Sequence, residues 1–362
     1  MRVLHMIPDI GIANGVMSVI LNYFKAMPND IKFDVCYFAE KKETRQADIE
    51  KLGGRVFKIP APSPKSLLRR DMSRFFAQHK GEWQALHIHA PHFAVFIAPQ
   101  AKAAGIKKIC CHCHSSVYSL NGNQARNKIL SLYSKYFIKK RFACSEAAGE
   151  VWYGNKKFTV LKNAINCAEY AFAPEKRDEV RKKEKLTDSF VVGHIGKTDV
   201  PQKNHPFLIN VFSQVKKLKQ NAVLLLIGAE KTKELDALCT ELGVKDSVVF
   251  LGARTDVPFL LQACDVFLFP SISEGLPLSL IEAQAAGLPI VMSDSITDEV
   301  CVCEELKRLS LSESEEIWAN EILNFKNSKR QNNYEKMKSA GWDINACAEK
   351  LKEFYTGGKD EI

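Results

Sequence analysis

Short apolar runs alternate with longer amphipathic stretches along nearly the whole chain. In the first half, residues 3–7, 33–38, 55–59, 85–89, 108–113, 142–144 and 158–161 read as strands. In the second half, 189–195, 222–227, 248–251, 266–269 and 290–292 repeat the pattern. Between them lie helix-length segments at 16–26, 65–79, 126–140, 206–218 and 277–287, and three more follow at 313–325, 332–339 and 344–355. Strands this short and this uniformly apolar are buried on both faces, and their alternation with helices predicts doubly wound parallel sheets of the α/β class. The pattern lapses over 167–187, which is charged and contains proline, and then restarts. We therefore expect two Rossmann-like domains, 1–170 and 171–342, with a terminal segment 343–362 packing back toward the first. A chain of 362 residues is also longer than one hydrophobic core usually serves.

The loops at the carboxyl ends of these strands carry the polar chemistry. The run 266–269 ends at Pro270 and opens into Ser271, Ser273, Glu274 and Gly275, after which Pro277 suits a first helical turn and Gly287 and Pro289 end the helix. That helix is almost wholly apolar, yet Glu282 sits within it, and a carboxylate there needs a partner. Glu274, eight residues earlier, faces the same strand-end crevice, where open α/β sheets bind ligands. The strand 189–195 leads into Gly196, Lys197 and Lys203 ahead of a helix, a loop suited to a diphosphate but lacking the P-loop pattern. In the first half, 3–7 is followed by a loop containing Gly11, Asn14 and Gly15, and two successive strands end at His89 and at His114-Ser115.

Composition narrows the class. Hydrophobic content of 46% and charged content of 26% fit a soluble globular protein, and no apolar run approaches the roughly 18 residues of a membrane span. The amino terminus is interrupted by Pro8 too soon for a signal peptide, and the eleven cysteines, an odd number set in apolar runs, read as reduced thiols of a cytoplasmic protein. The run Cys110-Cys111-His112-Cys113-His114 lacks the spacing of a structural zinc site and reads as a buried strand.

The net charge of +9 is concentrated in the first half, at Arg69, Arg70, Arg74, Lys135, Lys139, Lys140 and Arg141 among others. It calls for an anionic partner. Without a zinc finger, helix-turn-helix or RNA-binding aromatic motif, that partner is a phosphorylated substrate or an anionic membrane surface and not nucleic acid. The segment 65–79, with Leu67, Leu68, Met72, Phe75 and Phe76 set against three arginines, is the membrane candidate.

Taken together, these motifs resemble the retaining glycosyltransferases of family 4, in their capsular and exopolysaccharide branch. The resemblance rests on Glu274 and Glu282 within 271–289, on 193–205, 250–257 and 263–271, and more loosely on 11–15, 112–115, 143–145 and 162–166. It implies the GT-B fold, with two Rossmann-like domains facing across a cleft. It implies transfer of a hexosyl group from a nucleotide diphosphate sugar, a UDP-sugar rather than a GDP-sugar, to a saccharide acceptor, lipid-linked, in surface polysaccharide synthesis. No cofactor and no metal are implied, and the enzyme would sit in the cytoplasm or peripherally on the inner face of the plasma membrane.

By the same resemblance Glu282 holds the ribose, and Glu274 holds the donor sugar beside Gly275 and Leu276. Lys197 and Lys203 neutralise the diphosphate, and Gly11, Gly15, Gly196, Gly228, Arg254 and Ser273 complete the donor side. His114 stands near the anomeric carbon, and Asn14, His89, His114 and Ser115 face the acceptor. Two positions depart from the family pattern. Lys197 stands where arginine is usual, which removes bidentate phosphate contact but keeps the charge, and the first loop reads Gly-Ile-Ala-Asn-Gly in place of paired glycines. Two other readings are a GT-B nucleotide-sugar epimerase and a non-catalytic nucleotide-sugar-binding scaffold.

Overall fold

A computed structural model describes residues 1–115, 118 and 123–357. Residues 358–362 of the expected terminal segment lie outside the described residues. The chain divides into two compact units, Met1–Ala164 with Asp343–Ile362, and Ile165–Trp342.

The first unit holds β1 (Arg2–Ile7), β2 (Lys32–Tyr37), β3 (Val56–Lys58), β4 (Ala85–Ile88), β5 (Lys108–Cys113), β6 (Lys140–Ala143) and β7 (Thr159–Val160). They form one sheet in the order β3-β2-β1-β4-β5-β6-β7, with every pairing parallel. The second unit holds β8 (Phe190–Ile195), β9 (Ala222–Ile227), β10 (Val248–Phe250), β11 (Val266–Phe269), β12 (Ile290–Ser293) and β13 (Leu306–Leu309), ordered β10-β9-β8-β11-β12-β13 and again parallel. Each sheet thus starts near its middle, runs to one edge, and crosses back to continue on the other side. The reversals fall between β1 and β4 and between β8 and β11, where loops leave in opposite directions and open a crevice at the strand ends. Most central strand residues are fully buried, as two-sided coverage by helices requires.

The terminal helix Ile344–Thr356 packs against the helix Gly15–Ala26 of the first unit. Its Tyr355 hydroxyl lies 2.6 Å from His87 Nδ1, and Lys108 Nζ donates to the Tyr355 carbonyl at 2.7 Å. Asp34, fully buried on β2, accepts from Arg2, Arg55 and Trp83. Burial pushes its carboxyl upward, but those hydrogen bonds outweigh burial and hold it at about 2.

Strand β13 and the helices Ala94–Ala103, Glu146–Tyr153, Lys233–Glu241 and Val257–Ala263 add to the elements expected from the sequence. Two further stretches change character. The expected helix over 65–79 is two helices, Pro64–Leu68 and Asp71–Gln78, because Arg70 takes a left-handed conformation with φ 57°. A capping box at Ser63 fixes the first helix, and Arg69 pairs with Asp71 across the break. Met72, Phe75 and Phe76 turn into the core, whereas Leu67 and Leu68 on the first short helix stay exposed, so the break divides the apolar face expected to lie on a membrane. The charged stretch after 167, which lacks apolar periodicity, contains the helix Pro174–Lys183. Val180 is its one buried apolar side chain, and guanidinium groups supply most of the anchoring. Arg177 and Arg181 grip Asp265 at 2.5 and 2.6 Å and donate to carbonyls at the end of the helix Val257–Ala263.

Candidate active site

The reversal in the second unit brings together the loops after β8 and β11, which are 75 residues apart in sequence at Gly196 and Ser271. Ile272 N donates to the Gln202 carbonyl at 2.8 Å, and Asn204 Nδ2 to the Pro270 carbonyl at 3.3 Å, tying one loop to the other. Across this junction Lys203 Nζ stands 2.8 Å from Glu274 Oε1 and 4.8 Å from the centre of the Phe269 ring. Both side chains are largely sheltered from water. Glu274 Oε1 receives no directed hydrogen bond, so the attraction is Coulombic and a hydroxyl donor can still be taken up there.

Gly196 is required by packing. A Cβ there would stand 2.6 Å from His194 Nε2 and 3.0 Å from the Lys203 stem. Gly228, at φ +83°, sits in the left-handed region that favours glycine and faces the Gly196 backbone. Lys197 forms no ion pair among the described residues. The helices His205–Leu218 and Leu278–Ala285 begin at Asn204 and Pro277 with no side-chain cap, so their first amide groups stay available at the same crevice. Two lysines and two uncapped helix starts make this junction attractive to an anion.

Glu282, on the second of those helices, accepts from the Tyr170 hydroxyl at 2.8 Å. Tyr170 is a contact that no local signal reveals. Leu276 is buried, Gly275 is half-buried and Ser273 is exposed. Arg254 is already engaged, bidentate to Asp256 at 2.8 and 2.7 Å and 3.7 Å from Glu184, so much of its charge is neutralised within the protein.

In the first unit the reversal lies beside the loop after β1. Asn14 caps the helix Gly15–Ala26, accepting from Val16 and Met17 amides at 3.0 and 3.2 Å and donating to the Asp9 carbonyl at 2.9 Å. Its side chain is therefore spent on the loop. Gly11 is buried and bridged to Thr44, whereas a Cβ at Gly15 would meet nothing within 4 Å. The Ser115 carbonyl accepts from Trp152 Nε1 at 2.6 Å.

His89 and His114 do meet, within a longer row. Asn163 Oδ1 lies 3.0 Å from His114 Nδ1, His114 Nε2 lies 2.8 Å from His89 Nδ1, and His89 Nε2 lies 2.9 Å from His5 Nδ1. His5 Nε2 is buried without a partner. The hydrogen-bond pattern assigns the protons: each ring carries its hydrogen on Nδ1 and donates outward toward Asn163, leaving only a lone pair unmet at His5. The opposite polarity would strand a buried N–H, the costlier defect. Both nitrogens of His89 and of His114 are thus engaged, and a ligand reaches His114 nitrogen only by displacing Asn163 or His89.

Burial pushes His5 down to about 3 and His114 down to about 4, so the row is neutral near pH 7. Such groups stabilise the fold fully above their unfolded value near 6.5 and lose that contribution as pH falls toward 3 or 4. Each can remove up to about 1.4 kcal/mol per pH unit across that window. Thermal unfolding should therefore show a midpoint that is flat above pH 7 and falls steadily from pH 6.5 to 5. His5→Phe should flatten part of that slope.

Comparison with known proteins follows the same outline. Residues 174–341 match the family of glycosyl transferases group 1. Residues 174–341 carry a group 1 glycosyltransferase domain, and the two parallel-sheet units have the GT-B fold. The putative glycosyltransferase EpsF of Bacillus subtilis is 29% identical to this chain over 336 residues, 89% of this chain and 86% of that protein. The UDP-Gal:alpha-D-GlcNAc-diphosphoundecaprenol alpha-1,3-galactosyltransferase of Escherichia coli is 27% identical over 305 residues, 78% and 76% of the two chains. The crystal structure of Anabaena Alr3699/HepE in complex with UDP and glucose superposes with a TM-score of 0.80 over 98% of both chains, at 19% identity, which establishes the shared fold. Among the described residues, no helix is long and apolar enough to cross a membrane.

Proposed function

We propose that the protein is a retaining family 4 hexosyltransferase. It takes its sugar from a UDP-sugar at the β8–β11 junction and delivers it to a lipid-linked saccharide at the inner face of the plasma membrane during surface polysaccharide synthesis. The observation that carries this reading is the Lys203–Glu274 ion pair at that junction, with Glu282 on the following helix. A diphosphate entering there would draw Lys203 off Glu274 and free that carboxylate to accept from the sugar hydroxyls, while Glu282 accepts from the ribose. Lys197 and the two helix starts would hold the rest of the diphosphate charge. Stabilisation aimed at the leaving group supplies the electrophilic assistance that a metal would otherwise give. The sugar C1–O bond to the diphosphate breaks as the acceptor oxygen bonds C1 on the same face, and the acceptor proton passes to the departing phosphate.

The lipid-linked acceptor is suggested by the Escherichia coli relative, whose name specifies a diphosphoundecaprenol-linked sugar. Incubation with UDP-hexoses and an undecaprenyl-diphosphate-linked sugar, with NMR of the product, tests the proposal. It predicts UDP release that depends on acceptor and an anomeric configuration unchanged from the donor. An inverted product would refute the retaining mechanism, an altered sugar nucleotide without acceptor would indicate an epimerase, and UDP binding without turnover would indicate a scaffold.

A further inference from the structure

The helix Gln124–Phe137 is amphipathic the wrong way round for a helix facing water. Its buried side consists of Asn127, Ser131 and Ser134. Ser134 Oγ accepts from the Val95 amide at 3.1 Å, and Asn127 Nδ2 donates to the Tyr118 carbonyl at 3.0 Å, so polar groups tie the helix down. Its outward side carries Ile129, Leu132, Tyr133 and Tyr136, which are 54%, 46%, 57% and 85% exposed. The spacing i, i+3, i+4, i+7 makes them one continuous stripe. Folding alone gives no reason to place them there, since each leaves apolar surface in water.

The charge around the stripe is one-sided. From residue 83 to residue 145 the sequence holds no aspartate or glutamate, while Arg126, Lys128, Lys135, Lys139 and Arg141 lie on or just beyond this helix. None of these five forms an ion pair among the described residues. Burial, and then the Arg141 and Lys156 charges, press the Lys135 ammonium toward neutrality, as an uncompensated positive patch does. The arginine at 141 is oriented by the Lys135 and Lys139 carbonyls, at 2.8 and 3.1 Å, so the patch is built into the unit.

We propose that the outward face of this helix docks the first unit on an anionic lipid bilayer, with the Ile129–Tyr136 stripe in the headgroup–acyl boundary and the basic side chains on the lipid phosphates. Apolar and tyrosine side chains flanked by lysine and arginine are the composition of a helix lying in a membrane interface. A second copy of the chain fits less well. A two-fold contact centred on this helix would set the basic side chains of this face against those of the second copy with no nearby acid in the sequence to offset them. The proposal rests on the lipid-linked acceptor reading for its purpose, and it shifts the main contact away from 65–79, where Met72, Phe75 and Phe76 are in the core and only Leu67 and Leu68 face outward.

The test is cosedimentation with phosphatidylcholine vesicles, with and without phosphatidylglycerol, alongside UDP titration of the same samples. The wild-type protein should bind the anionic vesicles and release with salt. The combined variant Ile129→Ser, Leu132→Ser, Tyr133→Ser, Tyr136→Ser should lose about a hundredfold or more in partitioning, with its thermal midpoint retained. Tyr136→Ser alone, too exposed to affect folding, should lose severalfold. Arg126→Ser with Lys128→Ser should lose about tenfold on anionic vesicles only. Vesicle binding unchanged in the combined variant would overturn the proposal, as would a wild-type oligomer that this variant dissociates. UDP binding without vesicle binding would sink the docking alone, whereas vesicle binding without nucleotide binding would sink the transferase reading alone.

Discussion

Replacing Lys197 and Lys203 together by alanine should lower kcat by at least about a thousandfold, since the loss of a single donor to a developing charge already costs about a hundred- to a thousandfold. The effect should appear mainly in kcat, because charge on the leaving diphosphate grows between bound donor and transition state. The structure sharpens the expectation for Lys203. Its ammonium is held over the Phe269 ring and beside Glu274 in a sheltered place, where a fixed charge acts through little intervening water. Loss of Lys203 also leaves Glu274 without its cation, so the single variant should bind UDP more weakly, whereas Lys197→Ala should spare more of that binding. Arg254→Ala should cost far less than either lysine, because its guanidinium already serves Asp256 and Glu184. Steady-state kinetics on the four variants, with thermal midpoints as a folding control, check this. A double lysine variant within about tenfold of wild type would show that the leaving group is stabilised elsewhere.

The second large effect concerns Glu282. Alanine at this position should weaken UDP binding by about a hundredfold or more, the size expected when hydrogen bonds from ribose hydroxyls to an ionised acceptor are lost. The fold should survive, because the helix Leu278–Ala285 is held by Leu280, Ile281, Ala283 and by Gln284, which bonds the Val300 carbonyl and the Val302 and Cys303 amides. Tyr170 donates to Glu282 and fixes its rotamer, so Tyr170→Phe should reproduce a smaller part of the loss.

Much of the fold was legible because local patterning and tertiary placement agree. The apolar runs became the strands, and Pro277 and Gly287 bracketed the helix that carries Glu282. What local pattern cannot carry is sheet order. Nothing in the chain says that β8 lies beside β11, since parallel neighbours are joined by crossovers and not by hairpins. The Lys203–Glu274 pair and the Tyr170–Glu282 bond both depend on that placement. The break at Arg70 leaves no mark in the sequence because the apolar spacing continues across it, and only the left-handed backbone interrupts the helix. The helix Pro174–Lys183 leaves none either, because it is anchored mostly through arginine side chains to carbonyls, which leaves no apolar period to read. Asn14 and Arg254, which the resemblance sets on the acceptor and donor sides, also engage within the protein, in a helix cap and an ion pair that no local pattern reveals. The stretch 126–140 read as a helix, yet which side of it faces the protein is decided by the serines and the asparagine on its buried face.

The most direct test of a nucleotide-sugar donor site at the β8–β11 junction is calorimetric titration of UDP, GDP and ADP into the wild-type protein and into Glu282→Ala. The account predicts one-to-one binding of UDP, weaker binding of the other two by about tenfold or more, and loss of UDP binding in the variant. Absence of binding by any nucleotide at about millimolar concentration, or UDP affinity unchanged in Glu282→Ala, would contradict it.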